Sequence, residues 1–268
     1  MKRHAASFVV LALLAALTVV GTAGAGQQVK SPVKGSFKFC TDPTFPPMEY
    51  KSQSGGLVGF DVDLAKGIAK VWKVKAVAAE TAFTGLLPGL AAKRCNMVIS
   101  GIFITPDRTA SFPAVGYMKT HRALVVQGGN PKRIKGPNDL SGKTVAVQAG
   151  TKYEQYLKDL NEQFKSSGRA QFTLQSYPGD DDAVAQLLIG RADAVLTQDT
   201  SGAYQKKQHP GKIAIPYLFP ETDTFGIYYR PSDKKLGTAL RATIKLMKKN
   251  GALKKIAKKH QIPVADVK

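Results

Sequence analysis

From Ser36 onward, short β-rich runs alternate regularly with amphipathic helical runs, and this alternation restricts the chain to a narrow set of folds. Residues 36–41, 74–79, 97–100, 123–127, 144–148, 171–175, 194–197 and 225–229 carry the branched and aromatic side chains that suit a pleated surface. Between them the spacing predicts helices over 61–72, 84–93, 152–165, 180–189, 200–207 and 234–249. In the first, Leu64, Ala65, Ile68, Val71 and Trp72 share one face. Such alternation implies an α/β fold of mostly parallel sheets covered by helices.

Two turn-rich segments, Gly128-Gly129-Asn130-Pro131 and Gly136-Pro137-Asn138-Asp139, separate a first strand–helix series from a second that opens at Gly142-Lys143-Thr144. After Pro216 and Pro220 the chain returns to a strand and ends in lysine-rich helices. Two crossings, near 123–127 and 217–225, make the first lobe discontinuous: residues 26–123 with 225–268, and 124–224 for the second lobe. In sheets of this kind ligands sit beyond the carboxyl ends of the strands.

The first residues read differently. Lys2 and Arg3 precede an apolar run from Phe8 to Val20, and small residues follow as far as Ala23-Gly24-Ala25. This is the pattern of a signal peptide over 1–25, cleaved after Ala25. The run falls short of the roughly 20 apolar residues that span a bilayer. A soluble, periplasmic, monomeric protein is expected.

A net charge of +20 invites nucleic acid as a partner. The densest group argues against it. Lys245, Lys248, Lys249, Lys254, Lys255, Lys258 and Lys259 flank Leu246, Met247, Leu253 and Ile256 at helical spacing, with no aromatic interleaved to stack on bases. They read as the wet face of amphipathic helices. His4, His121, His209 and His260 match no metal-ligand spacing, so no metal or cofactor is expected. Cys40 closes the first strand and Cys95 opens a later parallel one. At about 3.3 Å of rise per residue they would lie beyond disulfide reach, so two buried free thiols are expected.

The strand ends collect the candidate ligand contacts. Asp42 and Phe45 follow the first strand, Phe83 the second, and Ser100 and Gly101 the third, with Phe103 and Arg108 just beyond. Thr151 and Lys152 follow the strand that opens the second lobe, and Asp199 follows 194–197. Each has a plainer reading: Arg108 as an ion-pair partner, Asp199 as a helix cap, the phenylalanines as core. Asp61 and Asp63 read as first-turn helix carboxylates, as does Asp180-Asp181-Asp182.

From about Phe37 to Ile256 the chain resembles the extracellular solute-binding proteins, family 3, of polar amino-acid ABC transporters. The likeness rests on Thr41-Asp42-Pro43-Thr44-Phe45-Pro46-Pro47, Gly59-Phe60-Asp61-Val62-Asp63-Leu64-Ala65, Ile104-Thr105-Pro106-Asp107-Arg108 and Gln148-Ala149-Gly150-Thr151, in that order and spacing. The resemblance implies a periplasmic-binding-protein type II fold, a small amino-acid-like ligand, an inner-membrane permease as partner, and no catalysis. Arg108 would then clamp a carboxylate, helped by N–H groups near Gly101 and Thr151. Asp199 would receive an ammonium, Phe45 and Phe83 would wall the side chain, and Asp42 would touch its far end. Phe103 departs from the Ser or Thr usual in the family, and Lys152 from a second Thr. The alternative is a cyclohexadienyl dehydratase-like enzyme on the same fold, with Glu49 as its acid.

Overall fold

The structure, a computed structural model, describes residues 29–268. The expected signal peptide and its cleavage point lie outside the described residues. The first half of the chain comprises β1 (Ser36–Thr41), β2 (Thr44–Phe45), β3 (Glu49–Lys51), β4 (Leu57–Val58), α1 (Phe60–Trp72), β5 (Lys75–Glu80), α2 (Leu86–Ala91), β6 (Met97–Val98), α3 (Pro106–Ser111) and β7 (Ala114–Gln127). There follow β8 (Thr144–Gln148), α4 (Lys152–Ser166), β9 (Thr173–Tyr177), α5 (Asp180–Leu188), β10 (Ala194–Gln198), α6 (Asp199–Gln208), β11 (Ile213–Tyr229), α7 (Lys234–Lys249) and α8 (Ala252–Lys259).

Eight strands run in the order β5-β1-β6-β11-β7-β10-β8-β9, and β2-β3-β4 form a small sheet beside them. β1 pairs in parallel with β5 and β6, and β8 with β9 and β10. Between these two parallel groups lies the antiparallel pair of long strands, β7 and β11. One end of the pair bonds β6, where Tyr228 faces Val98, and the other bonds β10, where Val126 faces Ala194. Two polypeptide crossings therefore join the halves.

The crossing strands are longer than the sequence suggests. β7 begins at Ala114 and β11 at Ile213, well ahead of the expected starts at 123 and 225. In β7, polar Thr120 and Arg122 are buried, which breaks the apolar signature. In β11, Pro216 and Pro220 hide a strand. The ladder absorbs them as register shifts between Ala214 and Tyr217 and between Leu218 and Thr222, the places where a strand tolerates a missing N–H.

Helix α1 buries Phe60, Leu64, Ala65, Ile68, Ala69 and Trp72 against the first half-sheet, and Trp72 Nε1 donates to Thr243 Oγ1 of α7 at 2.7 Å. Helices α7 and α8 bury Leu236, Leu240, Ile244, Met247 and Leu253 and turn most of their lysines to solvent.

The expectation of free thiols is wrong. Cys40 and Cys95 form a disulfide, with Cα atoms 5.6 Å apart. The rise argument applies only to extended chain, and Cys95 is not in the strand. It sits in the turn before β6, where Lys93 has φ 59° and the Arg94 N–H donates to the Gly89 carbonyl. The turn folds Cys95 back against Cys40 among Leu86, Leu90, Val98 and Tyr228.

Candidate ligand site

Most of the site lies where the strands end. Thr105 caps α3, its hydroxyl accepting from the Arg108 N–H at 3.4 Å, and so fixes the start of the helix that carries Arg108. The guanidinium lies 5.6 Å from the centroid of the Phe83 ring. Its Nη1 donates to the Phe103 carbonyl at 3.0 Å, and its Nη2 to the Gly150 carbonyl of the other half at 3.2 Å. Burial pushes its pKa down from the ordinary value, the direction expected when a cation loses water.

Across the cleft, Thr151 caps α4, accepting from the Glu154 N–H at 3.2 Å and donating to the Gln148 carbonyl at 2.7 Å. Lys152 donates to Asp223 of β11, and the Arg122 Nε lies 3.4 Å from the same carboxylate. Gln148, the last residue of β8, donates to Asp42 Oδ2 at 2.7 Å and so ties the halves together.

Aromatic rings fill the space between. Phe103 stacks on Phe225 with centroids 4.7 Å apart, and meets the Tyr153 ring edge-on at 5.4 Å. Gly101 lies beside Phe45 with φ 45°, and a Cβ there would come within 2.8 Å of that ring. Only glycine fits. The cavity left among these residues is ≈ 10 Å³, at the lower limit for a single water. An amino acid enters only if the halves part or the rings swing aside.

Seven of the ten residues expected from sequence line this cavity: Phe45, Phe83, Gly101, Phe103, Arg108, Thr151 and Lys152. Asp42 is one contact removed, behind Gln148. Ser100 is also behind the wall, accepting from the Asp42 N–H at 2.8 Å and donating to Glu49 at 3.0 Å. Asp199 does not line the cavity. Its Oδ1 takes the Thr120 hydroxyl at 2.6 Å and the Thr200 N–H at 2.7 Å.

Beneath Gly101 lies a pair of buried acids. Asp61 Oδ2 accepts from the Gly101 N–H at 2.7 Å and from the Tyr117 hydroxyl at 2.8 Å. Asp61 therefore does more than begin α1: it pins the loop that carries the site. Burial, then the neighbouring Asp61 charge, hold Glu49 well above the ordinary carboxylate range, and burial raises Asp61 to about 6. Asp180 is also more than a helix start, since it is buried and accepts from Thr197 and Ser201 at 2.6 and 2.9 Å.

Residues 37–262 match the model of bacterial extracellular solute-binding proteins, family 3. The chain belongs to that family. Among its curated relatives, the L-cystine-binding protein TcyJ of Escherichia coli (strain K12) is 28% identical over 250 residues, covering 93% of this chain and 91% of the relative. Among solved structures, an ancestral arginine-binding protein bound to arginine superposes with a TM-score of 0.79 at 33% identity, covering 85% of this chain and 98% of the other. The ancestral amino acid-binding protein AncCDT-1, described as a precursor of cyclohexadienyl dehydratase, superposes with a TM-score of 0.77 at 29% identity, covering 84% of this chain and 95% of the other. The fold is accordingly that of a type II periplasmic binding protein, and solute binding is the role of the family.

Against that family frame, sequence reasoning missed Gln148 and Tyr153, which also line the cavity. Gln148 was detectable as a polar residue at a strand end. Tyr153 follows Thr151 and Lys152 directly, but its ring reads as helix core until its place in the cleft is known.

Proposed function

We propose that this protein is the substrate-binding component of an ABC importer. It works as a periplasmic monomer that takes up an amino acid, or a closely related small zwitterion or carboxylate, by closing two lobes. The lobes are residues 26–123 with 225–268, and residues 124–224. The β7–β11 pair is the hinge, flexing where its register breaks.

The observation that carries this reading is the position of Arg108. It projects from one half, lines the inter-half cavity, and reaches the Gly150 carbonyl of the other. A solute carboxylate arriving there exchanges the carbonyl for an anion, and a guanidinium fork binds the anion more strongly. Thr151 and the start of α4 add donors from the second lobe, so the contacts are complete only on closure. The solute thereby shifts the population toward the closed form. An inner-membrane permease then reads the closed shape.

Binding without chemistry fits the cavity wall. Glu49, the acid an elimination would need, is not among the residues lining the cavity and is engaged by Ser100. General acid catalysis requires the acid within reach of the reacting group.

Small-angle scattering of ligand-stripped protein, before and after adding L-amino acids and small carboxylates, tests the reading. Contraction with at least one solute is expected. An unchanged radius of gyration with all of them rejects it.

A further inference from the structure

We propose that this cleft selects its solute as an organic anion: an apolar-bodied carboxylate whose recognition requires no ammonium group. The inference rests on the reading above, that the cavity at Arg108 is the solute site.

The charge of the cavity wall carries it. Among the described residues, the cavity wall holds two cationic side chains, Arg108 and Lys152, and no carboxylate. An ammonium entering a desolvated cleft needs acceptors, and charged ones above all. The two carboxylates on the far side stand off the cavity wall. Asp199 holds the Thr120 hydroxyl and the Thr200 N–H, and Asp223 lies between Lys152 and Arg122. The acceptors on the wall are neutral: Gln148 Oε1, and the Gly150 carbonyl once a carboxylate has taken Arg108 from it. The Phe103 carbonyl accepts from Arg108 and from the Tyr228 hydroxyl, and the Gly150 carbonyl accepts from Arg108.

The Phe103 side chain itself offers neither donor nor acceptor. The Tyr153 hydroxyl is buried without a hydrogen-bond partner, and burial among Asp180, Asp223 and Asp199 keeps it protonated. It adds a donor to the region and no charged acceptor.

A carboxylate meets the opposite situation. Arg108 offers a planar fork, Lys152 a second cation shared with Asp223, and the rings of Phe45, Phe83, Phe103 and Tyr153 an apolar bed for the body of the molecule. The net charge of +20, or +18 once Lys2 and Arg3 leave with the signal peptide, favours the approach of anions over cations. Phe103 and Lys152 are therefore specificity-determining residues.

Matched pairs isolate the ammonium. Protein stripped of carried-over solute by unfolding and refolding is titrated calorimetrically with 3-phenylpropanoate against L-phenylalanine, and hexanoate against L-norleucine. L-arginine and L-cystine serve as reference amino acids. The des-amino member of at least one pair is expected to bind about tenfold or more tightly than its amino acid, a difference of about 1.4 kcal/mol. In Lys152→Thr, with the fold checked by circular dichroism, that advantage shrinks by about tenfold. Phe103→Ser shifts preference toward the amino acid. Amino acids binding as tightly as their partners, or L-arginine or L-cystine binding while both carboxylates fail, overturns the inference and leaves the solute-binding reading standing. Failure of every solute overturns both.

Discussion

Phe103 lies flat on Phe225, ring centroids 4.7 Å apart and planes 15° from parallel, at the point where the loop before α3 meets the returning strand β11. The stack joins the first half of the chain to its last crossing, and an isolated backbone bridge between the same two residues supports it. Phe103 is 3% exposed and Phe225 wholly buried.

Truncating Phe103 to alanine should therefore cost stability as a core aromatic does, about 3–5 kcal/mol. Urea unfolding of the variant measures it. A loss under about 1 kcal/mol would mean that the stack on Phe225 contributes little to the packing.

The Cys40–Cys95 bridge closes a loop with a sequence separation of 55. Loop-closure entropy alone puts its contribution at about 4 kcal/mol. The double variant Cys40→Ser/Cys95→Ser should melt well below the wild type. Addition of reductant should lower the wild-type midpoint and leave the variant's unchanged. Equal midpoints for the two proteins would contradict the bridge.

Burial raises Asp180 to about 7 in the fold, against an ordinary value of 3.8. The folded state thus holds a proton more tightly than the unfolded chain. The associated stability is fully present below about pH 4 and is lost as pH climbs toward 7 and beyond, at up to about 1.4 kcal/mol per pH unit. Asp180→Asn removes the titration and keeps an acceptor for Thr197 or Ser201. Between pH 5 and 8 the wild type should lose stability relative to Asp180→Asn in paired denaturant titrations. A difference that stays flat or grows with pH contradicts the assignment.

Gly101 has φ 45°, and a Cβ there would press on the Phe45 ring at 2.8 Å. Gly101→Ala should weaken solute binding and lower the melting temperature together, because the same loop is pinned from below by Asp61. Scanning fluorimetry with and without solute reads both. An alanine variant indistinguishable from the wild type in both respects would show the loop to be adaptable.

Much of this was legible in the sequence because it depends on periodicity. The stripe Leu64, Ala65, Ile68, Trp72 predicts α1, and unbroken apolar runs predict β8 and β10, which lie inside the sheet. Arg108, Thr151 and Gly101 were found because they follow strands. What escaped depends on three dimensions. Pro216 and Pro220 read as breakers although β11 absorbs them at register shifts. Cys95 read as strand although a left-handed residue turns the chain just before it. Asp61 and Asp180 read as helix-start carboxylates because nothing in their spacing reveals that Tyr117, Thr197 and Ser201 converge on them. Asp199 has the right place in the chain, yet its carboxylate is turned to Thr120.

The account depends on Arg108 holding the solute's carboxylate between the two halves. Calorimetric titration of stripped wild type and Arg108→Ala, with whichever solute of the panel binds most tightly, tests this directly. A loss of at least about a hundredfold in affinity, roughly 2.7 kcal/mol, is predicted, with the fold intact by circular dichroism. Affinity within about threefold of wild type would place the solute elsewhere and contradict the account.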